Sequence, residues 1–165
     1  MDDMSNPQHD EQLVPWCLTN FRPEESVGYL VKMTHLSMMR AIDAEVAPMG
    51  LTAMQWTPLL RMAAGQADTA AELARIVGMD TGAMTRMLDR LEQKGLIRRV
   101  RSVDDRRVIK LELTEEGRQK AHQIPPLLAK VSNAHLAGFA DAELDTIKGL
   151  LRRMLANGAQ PPDPA

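Results

Sequence analysis

Between Ala70 and Gly117 the chain switches its hydrophobic period once, from helical to alternating, and that switch limits the folds open to it. Thr69 followed by Glu72 is the spacing of a capping box. It predicts a short helix over Ala70 to Val77, with Leu73, Ile76 and Val77 facing inward. Gly78 supplies a turn, Asp80 or Thr81 caps a second helix, and that helix continues to about Lys94 on a stripe of Met84, Met87 or Leu88, and Leu91. Gly95 ends it. From there Leu96 to Val100 and Val108 to Leu113 alternate branched and charged residues, as the two strands of a solvated hairpin do, with Ser102 to Arg106 as a polar tip. Thr114, Glu115, Glu116 and Gly117 then start another helix. The expected fold is mainly α with a small β-hairpin: a helix, a turn, a helix and a ribbon set between longer helices.

The flanks are helical by the same test. Pro23, Glu24 and Glu25 lead, with Ser26 as cap, into a helix from about Val27 to Ala47, which Pro48 and Gly50 end. Thr52 is expected to cap a helix from about Ala53 to Ala64 with Trp56, Leu59, Leu60 and Ala63 inside, and Gly65 to stop it. Pro125 and Pro126 demand a kink or a break in the helix that follows Gly117. Asp141 is expected to cap the last helix, which presents Leu144, Ile147, Leu151 and Met154 on one face to about Asn157. The polar stretch Met1 to Gln12 and the proline-rich Gly158 to Ala165 are expected to be disordered, and Leu13 to Phe21 to form a short apolar arm. The division that follows is an N-terminal arm (1–25), a helical dimerisation region (26–50 and 118–157), a central lobe (51–117) and a tail (158–165). The first and last helices carry more apolar surface than so small a lobe can cover, so they are expected to pack together and against a second copy.

Charge is distributed to match. The chain is −2 overall, yet residues 75–110 hold ten Lys or Arg against five Asp or Glu, a local +5 on a body of −7. Such a face attracts a polyanion to one surface and repels it elsewhere. On the second central helix Thr81, Gly82, Thr85, Arg86, Asp89 and Arg90 lie off the apolar stripe. A helix with Thr85, Arg86 and Arg90 outward can enter a major groove, and a hairpin tipped with Arg106 and Arg107 can reach the adjacent backbone or minor groove. Arg90 is open to either a phosphate or an ion pair with Asp89 or Glu92. Alternation puts Arg99 and Arg101 on one face of the hairpin, Arg99 among the DNA-contact candidates, and pairs or packs Arg98 on the other. The partner implied is double-stranded DNA.

Other classes find little support. No phosphate-binding glycine loop, nucleophile elbow or persuasive carboxylate pair marks an enzyme, and no stretch approaches the ~18 apolar residues of a membrane span. His9, His35, His122 and His135 lack ligand spacing, so neither metal nor other cofactor is expected. The one cysteine, Cys17, excludes an internal disulfide and suits a reducing cytoplasm; it reads as a small hydrophobe in the arm or as an oxidation switch.

The stretch Leu51–Thr52–Ala53–Met54–Gln55–Trp56, the helix Thr69–Ala70–Ala71–Glu72–Leu73–Ala74, the run from Thr85–Arg86–Met87–Leu88–Asp89–Arg90 to Gly95–Leu96–Ile97, the Asp105–Arg106–Arg107 tip and Leu113–Thr114–Glu115–Glu116–Gly117 together resemble the MarR family of bacterial winged helix-turn-helix regulators. The resemblance spans about Val27 to Met154 in architecture. It implies an obligate homodimer on a pseudo-palindromic operator, repression as the usual outcome, a cytoplasmic and nucleoid-associated protein, and in many members release by a small aromatic acid or phenol. Carried onto this chain it makes Thr81, Thr85 and Arg86 recognition-helix residues and Arg106 and Arg107 wing-tip residues, with Asp105 orienting one of the arginines. An effector pocket is sought at the junction of the first two helices, where Met33, His35, Ser37, Met38, Arg40 and Trp56 could cover a ring and meet a carboxylate. Effector-independent binding, redox control, metal response and a protein-binding winged helix are the alternatives.

Overall fold

The computed structural model describes residues 22–52, 54–102 and 105–159. Cys17, His9 and the apolar arm 13–21 lie outside them, as does the tail from 160. Two compact units are distinguished, 1–37 and 38–165.

A 3-10 turn, Pro23–Glu25, precedes helix α1, Val27–Val46, whose residues as far as Ser37 belong to the first unit and whose remainder belongs to the second. Ser26 Oγ accepts the Tyr29 amide at 3.1 Å and donates to Pro23 O at 2.7 Å, so the predicted cap is made. Val27, Tyr29, Leu30, Val31 and Leu36 are exposed.

The second unit contains helices α2 (Trp56–Ala63), α3 (Ala70–Val77), α4 (Thr81–Gln93), α5 (Glu115–His135) and α6 (Asp141–Gly158), with strands β1 (Ile97–Arg101) and β2 (Ile109–Leu113). Gly50, Gly65, Gly78 and Gly95 are all left-handed and close the segments before them; at Gly95 the Leu96 amide reaches back to Leu91 O at 3.0 Å while the Gly95 amide bonds Glu92 O at 2.8 Å. Leu59, Leu73, Met84, Leu88, Leu91, Leu96 and Ile124 are fully buried in one core, each contributing about 1.5–3 kcal/mol by leaving water. The helical stripe of α4 thus resolves to Met84, Leu88 and Leu91, with Met87 at its margin. Ala121, Ile124 and Val131 of α5 share that core, so α5 is part of the lobe's interior as well as a flanking helix.

Four expectations are corrected. Thr52 does not cap α2: the Gln55 amide bonds Thr52 O at 2.9 Å, and the helix begins at Trp56 after Gln55. The Gln55 side chain, 5% exposed, turns inward to accept the Thr52 amide, and α2 starts with no side-chain cap. Asp141 is the first residue of α6, not its cap; Glu143 accepts the Ala140 amide instead. Of the kink or break expected at the prolines, the break does not occur: α5 runs through Pro125 and Pro126, and the burial of Ala121, Ile124 and Val131 on either side holds the helix where two backbone donors are missing. Ser102 is 6% exposed rather than part of the polar tip; its amide bonds Val108 O at 2.9 Å, extending the hairpin by one rung.

The hairpin is antiparallel, Ile97 facing Leu113 and Arg101 facing Ile109. The outer edge of β2 is covered by the α2–α3 loop: the Leu111 amide bonds Asp68 O at 2.7 Å and Lys110 Nζ meets Asp68 Oδ2 at 2.8 Å. Its base is fastened to α5. Thr114 Oγ1 donates to Gly95 O at 2.6 Å and accepts the Gly117 amide at 3.0 Å, and the Thr114 amide bonds Leu96 O at 3.0 Å. Gly117 sits so close that a β-carbon there would stand 1.9 Å from Leu96 O.

Gly117→Ala is therefore expected to lower the midpoint of thermal unfolding, by an overpacking cost of about 1–3 kcal/mol. A midpoint at or above wild type contradicts the close approach. Glu72 supplies a second test. The Asp68 amide, then the Thr69 side chain, hold its carboxyl below its ordinary value near 4.5. A carboxyl depressed by folding stabilises fully above its unfolded value and less as pH falls through the folded one. Glu72→Gln should thus flatten the acid limb of a stability–pH curve below about 4.5, while denaturant titrations on that limb show wild type converging toward the variant.

Candidate nucleic-acid interface

α4 owes its start to Asp80, whose Oδ1 accepts the Ala83 amide at 3.0 Å. With Met84, Leu88 and Leu91 inward, the opposite face holds Thr81, Gly82, Thr85, Arg86 and Arg90, all exposed. Thr85 Oγ1 donates to Thr81 O at 2.9 Å, which commits its proton to the helix and leaves its lone pairs outward. Among the described residues Arg86 and Arg90 make no ion pair, so the Asp89 or Glu92 pairing considered for Arg90 does not form.

Those two carboxylates hold Arg99 instead. Arg99 Nη2 bonds Asp89 Oδ1 at 2.7 Å, its Nη1 bonds Glu92 Oε2, and its amide bonds Glu92 Oε1 at 3.1 Å. With its side chain only 28% exposed, Arg99 spans the seam between α4 and β1. Expected among the DNA-contact residues, Arg99 instead turns onto the helix, on the same strand face as the buried Ile97. The clue lay in Asp89 and Glu92, two carboxylates three apart on one helix edge, which need a cation from a neighbouring element. Arg98 pairs across the hairpin with Glu112 at 2.6 Å, as its opposite face predicted.

At the hairpin tip Asp105 Oδ1 accepts the Arg107 amide at 2.9 Å, and the Val108 amide bonds Asp105 O at 2.9 Å. Asp105 thus shapes the turn; its 3.9 Å approach to Arg107 Nε leaves that side chain 95% exposed. Arg106 is exposed beside it. Val103 and Asp104 lie outside the described residues.

Lys94, read from sequence as a favourable charge at a helix end, does more. Its Nζ donates to Gly50 O at 2.6 Å and Gln55 Oε1 at 2.8 Å, tying the end of α4 to the turn before α2.

The residues proposed for an effector pocket divide between the units: Met33, His35 and Ser37 belong to the first, Met38, Arg40 and Trp56 to the second. Met33, Met38 and Trp56 are partly buried; His35, Ser37 and Arg40 are exposed. Trp56 Nε1 is buried with no hydrogen-bond acceptor among the described residues. Clefts of note occur elsewhere. One of about 530 Å³ lies between the α2–α3 loop, β2 and α5 and includes Glu72, Arg118 and His122. Another, about 340 Å³, lies beside α4 among Met54, Met79, Met87, Arg86 and Arg90. A smaller one of about 290 Å³ lies along α6 beside Thr146, Ile147 and Leu150. None is lined by the six residues named above. Among the described residues no group of three or more His, Cys, Asp or Glu is placed to hold a metal ion, and no helix is long and apolar enough to cross a membrane.

Known proteins share this arrangement. The family model described as MarR family matches residues 51–109, from the turn before α2 through the hairpin tip. The chain is 30% identical over 130 residues to the multiple antibiotic resistance protein MarR of Escherichia coli (strain K12), across 78% of this chain and 90% of that one. A crystal structure of a Cys-to-Ser mutant of E. coli MarR complexed with operator DNA superposes with a TM-score of 0.70 at 29% identity, covering 78% of this chain and 92% of that one. The S. aureus MepR–DNA complex gives 0.74 at 21% identity over 80% and 98% of the two chains, a likeness of fold.

Arg99→Ala should free β1 from α4. The expected result is faster amide hydrogen exchange across 97–113 with the α2–α3–α4 core unchanged, and partial recovery with Arg99→Lys, which restores one of the two ion pairs. Unchanged exchange in the alanine variant contradicts the strut.

Proposed function

This chain belongs to the MarR family, and from that premise we propose a homodimeric regulator of transcription that binds one pseudo-palindromic operator in duplex DNA. The observation that carries the reading is the face of α4. Thr81, Thr85, Arg86 and Arg90 stand outward on a helix whose other side is locked into the core, with Arg106 and Arg107 exposed on a braced hairpin beside it. Two such helices one duplex turn apart, ~34–36 Å, would read both halves of a site. The operator complex of the 29%-identical E. coli MarR supports duplex DNA as the partner. In our reading Arg86 and Thr85 read bases, Arg90 and the wing arginines hold backbone phosphates, and Arg99 orients the wing.

The lobe 51–117 forms the reader, while 26–50 and 118–157 supply the dimer contacts. The exposed Ile147, Leu150, Leu151, Met154 and Leu155 of α6 support this division, since an apolar face of that size seeks a partner. Bound at a promoter, the dimer represses by occlusion. A small aromatic acid releases it by favouring a different spacing of the two readers, which requires that it bind the two states unequally. The buried indole N–H of Trp56, lacking an acceptor among the described residues, supports a ligand oxygen near that residue.

Selection of a random duplex library on the purified protein tests the reading: a symmetric site should emerge. Arg86→Ala should lower affinity for it and relax preference at one base pair per half-site, a loss of about 1–3 kcal/mol. Arg107→Ala should weaken binding to preferred and scrambled duplexes alike and reduce the slope of log affinity against log salt by about one. Equal losses on both duplexes for both variants contradict the division of roles.

A further inference from the structure

Of the cations on the two strands, Arg98 holds Glu112, Arg99 holds Asp89 and Glu92, and Lys110 holds Asp68. Arg101 is exposed and makes no ion pair among the described residues. Its place on the ribbon decides what it can meet. Alternation puts Ile97, Arg99 and Arg101 on one face of β1, and the register sets Leu113, Leu111 and Ile109 opposite them on the same face of β2. That face starts in the core, with Ile97 2% and Leu111 4% exposed, and from it Arg99 reaches α4. Two residues later, about 7 Å nearer the tip, it ends at Arg101 and Ile109, and Ile109 is 52% exposed. Residues directly opposite in an antiparallel pair have β-carbons about 4.5–5.5 Å apart. A cation and an apolar side chain therefore stand together on the side turned toward α4, just where the ribbon passes the edge of the core. One exposed isoleucine alone would need no explanation. Beside a guanidinium that lacks a carboxylate it makes a pair of open contacts, one for an anion and one for an apolar surface.

We propose that Arg101 and Ile109 form a saddle for the sugar–phosphate strand that separates two adjacent grooves: the Arg101 guanidinium holds one backbone phosphate and Ile109 packs on the adjoining deoxyribose. The inference rests on the DNA-reading function proposed above. With α4 in a major groove and Arg106 and Arg107 at the neighbouring minor groove, the strand between those grooves must pass the length of ribbon between α4 and the tip. On the side turned toward α4 that length carries Arg99, already engaged, and then Arg101 with Ile109. A sugar–phosphate strand presents a charged phosphate next to an apolar sugar edge, the two surfaces this pair lacks. Contacts of this kind fix the register of a protein on the duplex and carry no sequence information, so the saddle acts on every duplex alike.

The test measures affinity for the selected duplex and a scrambled one across a salt series, for wild type, Arg101→Ala, Arg101→Lys, Ile109→Ala and Arg98→Ala. All three positions are exposed, so the variants keep the lobe intact. Arg101→Ala should weaken both duplexes about tenfold and reduce the slope of log affinity against log salt by about one per protomer bound. Arg101→Lys keeps the charge and should keep the slope. Ile109→Ala should weaken both duplexes about threefold with the slope unchanged. Arg98→Ala removes the same charge from the opposite face, where Glu112 holds it, and should leave the slope at its wild-type value. Ethylating single phosphates of the selected duplex should reveal one position per half-site, between the two groove contacts, that impairs wild type and not Arg101→Ala. A wild-type slope in Arg101→Ala, an equal fall in Arg98→Ala, a loss confined to the selected duplex, or full affinity in Ile109→Ala each overturns the proposal. Failure of the underlying reading looks different: wild type itself then selects no symmetric duplex, whereas failure of the saddle alone leaves that selection intact.

Discussion

The structure turns on the carbonyl of Leu96. Thr114 bonds it through the backbone, Gly117 lies against it with no room for a β-carbon, and the adjoining Gly95 carbonyl accepts the Thr114 hydroxyl. In those few ångströms the end of α4, the start of β1, the end of β2 and the first turn of α5 meet. A two-stranded hairpin has little stability of its own, so its direction relative to α4 must come from its ends and edges. Here the junction supplies the ends, the Asp68 segment covers one edge, and Arg99 ties β1 to α4. The result is one rigid piece presenting both a helix face and a ribbon tip.

That rigidity sorts the arginines. Arg98, Arg99 and Arg118 are engaged in bonds to Glu112, to Asp89 and Glu92, and to Leu113 O and Glu115. Arg86, Arg90 and Arg106 make no ion pair among the described residues, and Arg107 has only a long, exposed one. Cations fastened within the lobe hold its shape; cations left in solvent carry the attraction for a polyanion, and fixed geometry lets a few of them discriminate among bases. Net charge concealed this, since the chain as a whole is −2. The basic face is visible only once residues 75–110 are separated from the acidic remainder.

Much of this was legible in the order of residues. The capping box at Thr69 and Glu72, the caps at Ser26 and Thr114, the terminating glycines and the change of period after Gly95 all depend on interactions between residues within five positions of one another. Where local reading failed, a distant partner had intervened. Thr52 has the chemistry of a cap, but the buried Gln55 side chain accepts its amide and a bond from Lys94, thirty-nine residues away, and α2 begins only at Trp56. Pro125 and Pro126 have the chemistry of a break, but buried neighbours hold α5 through them. Arg99 has the charge of a DNA contact, but two carboxylates on α4 engage it.

The sequence by itself determined the element types and most of their ends, the location of the positive face, and the outward placing of Thr85 and Arg86 on α4, because periodicity, capping and charge are properties of short stretches of chain. Only the tertiary structure decided which arginines are struts and which are free, that Gly117 is pressed against Leu96 O, and that Trp56 buries a donor unanswered among the described residues. The physical reason is range. An ion pair or a steric approach between residues far apart in sequence has no signature in either stretch alone; it exists only when packing brings the two to within a few ångströms.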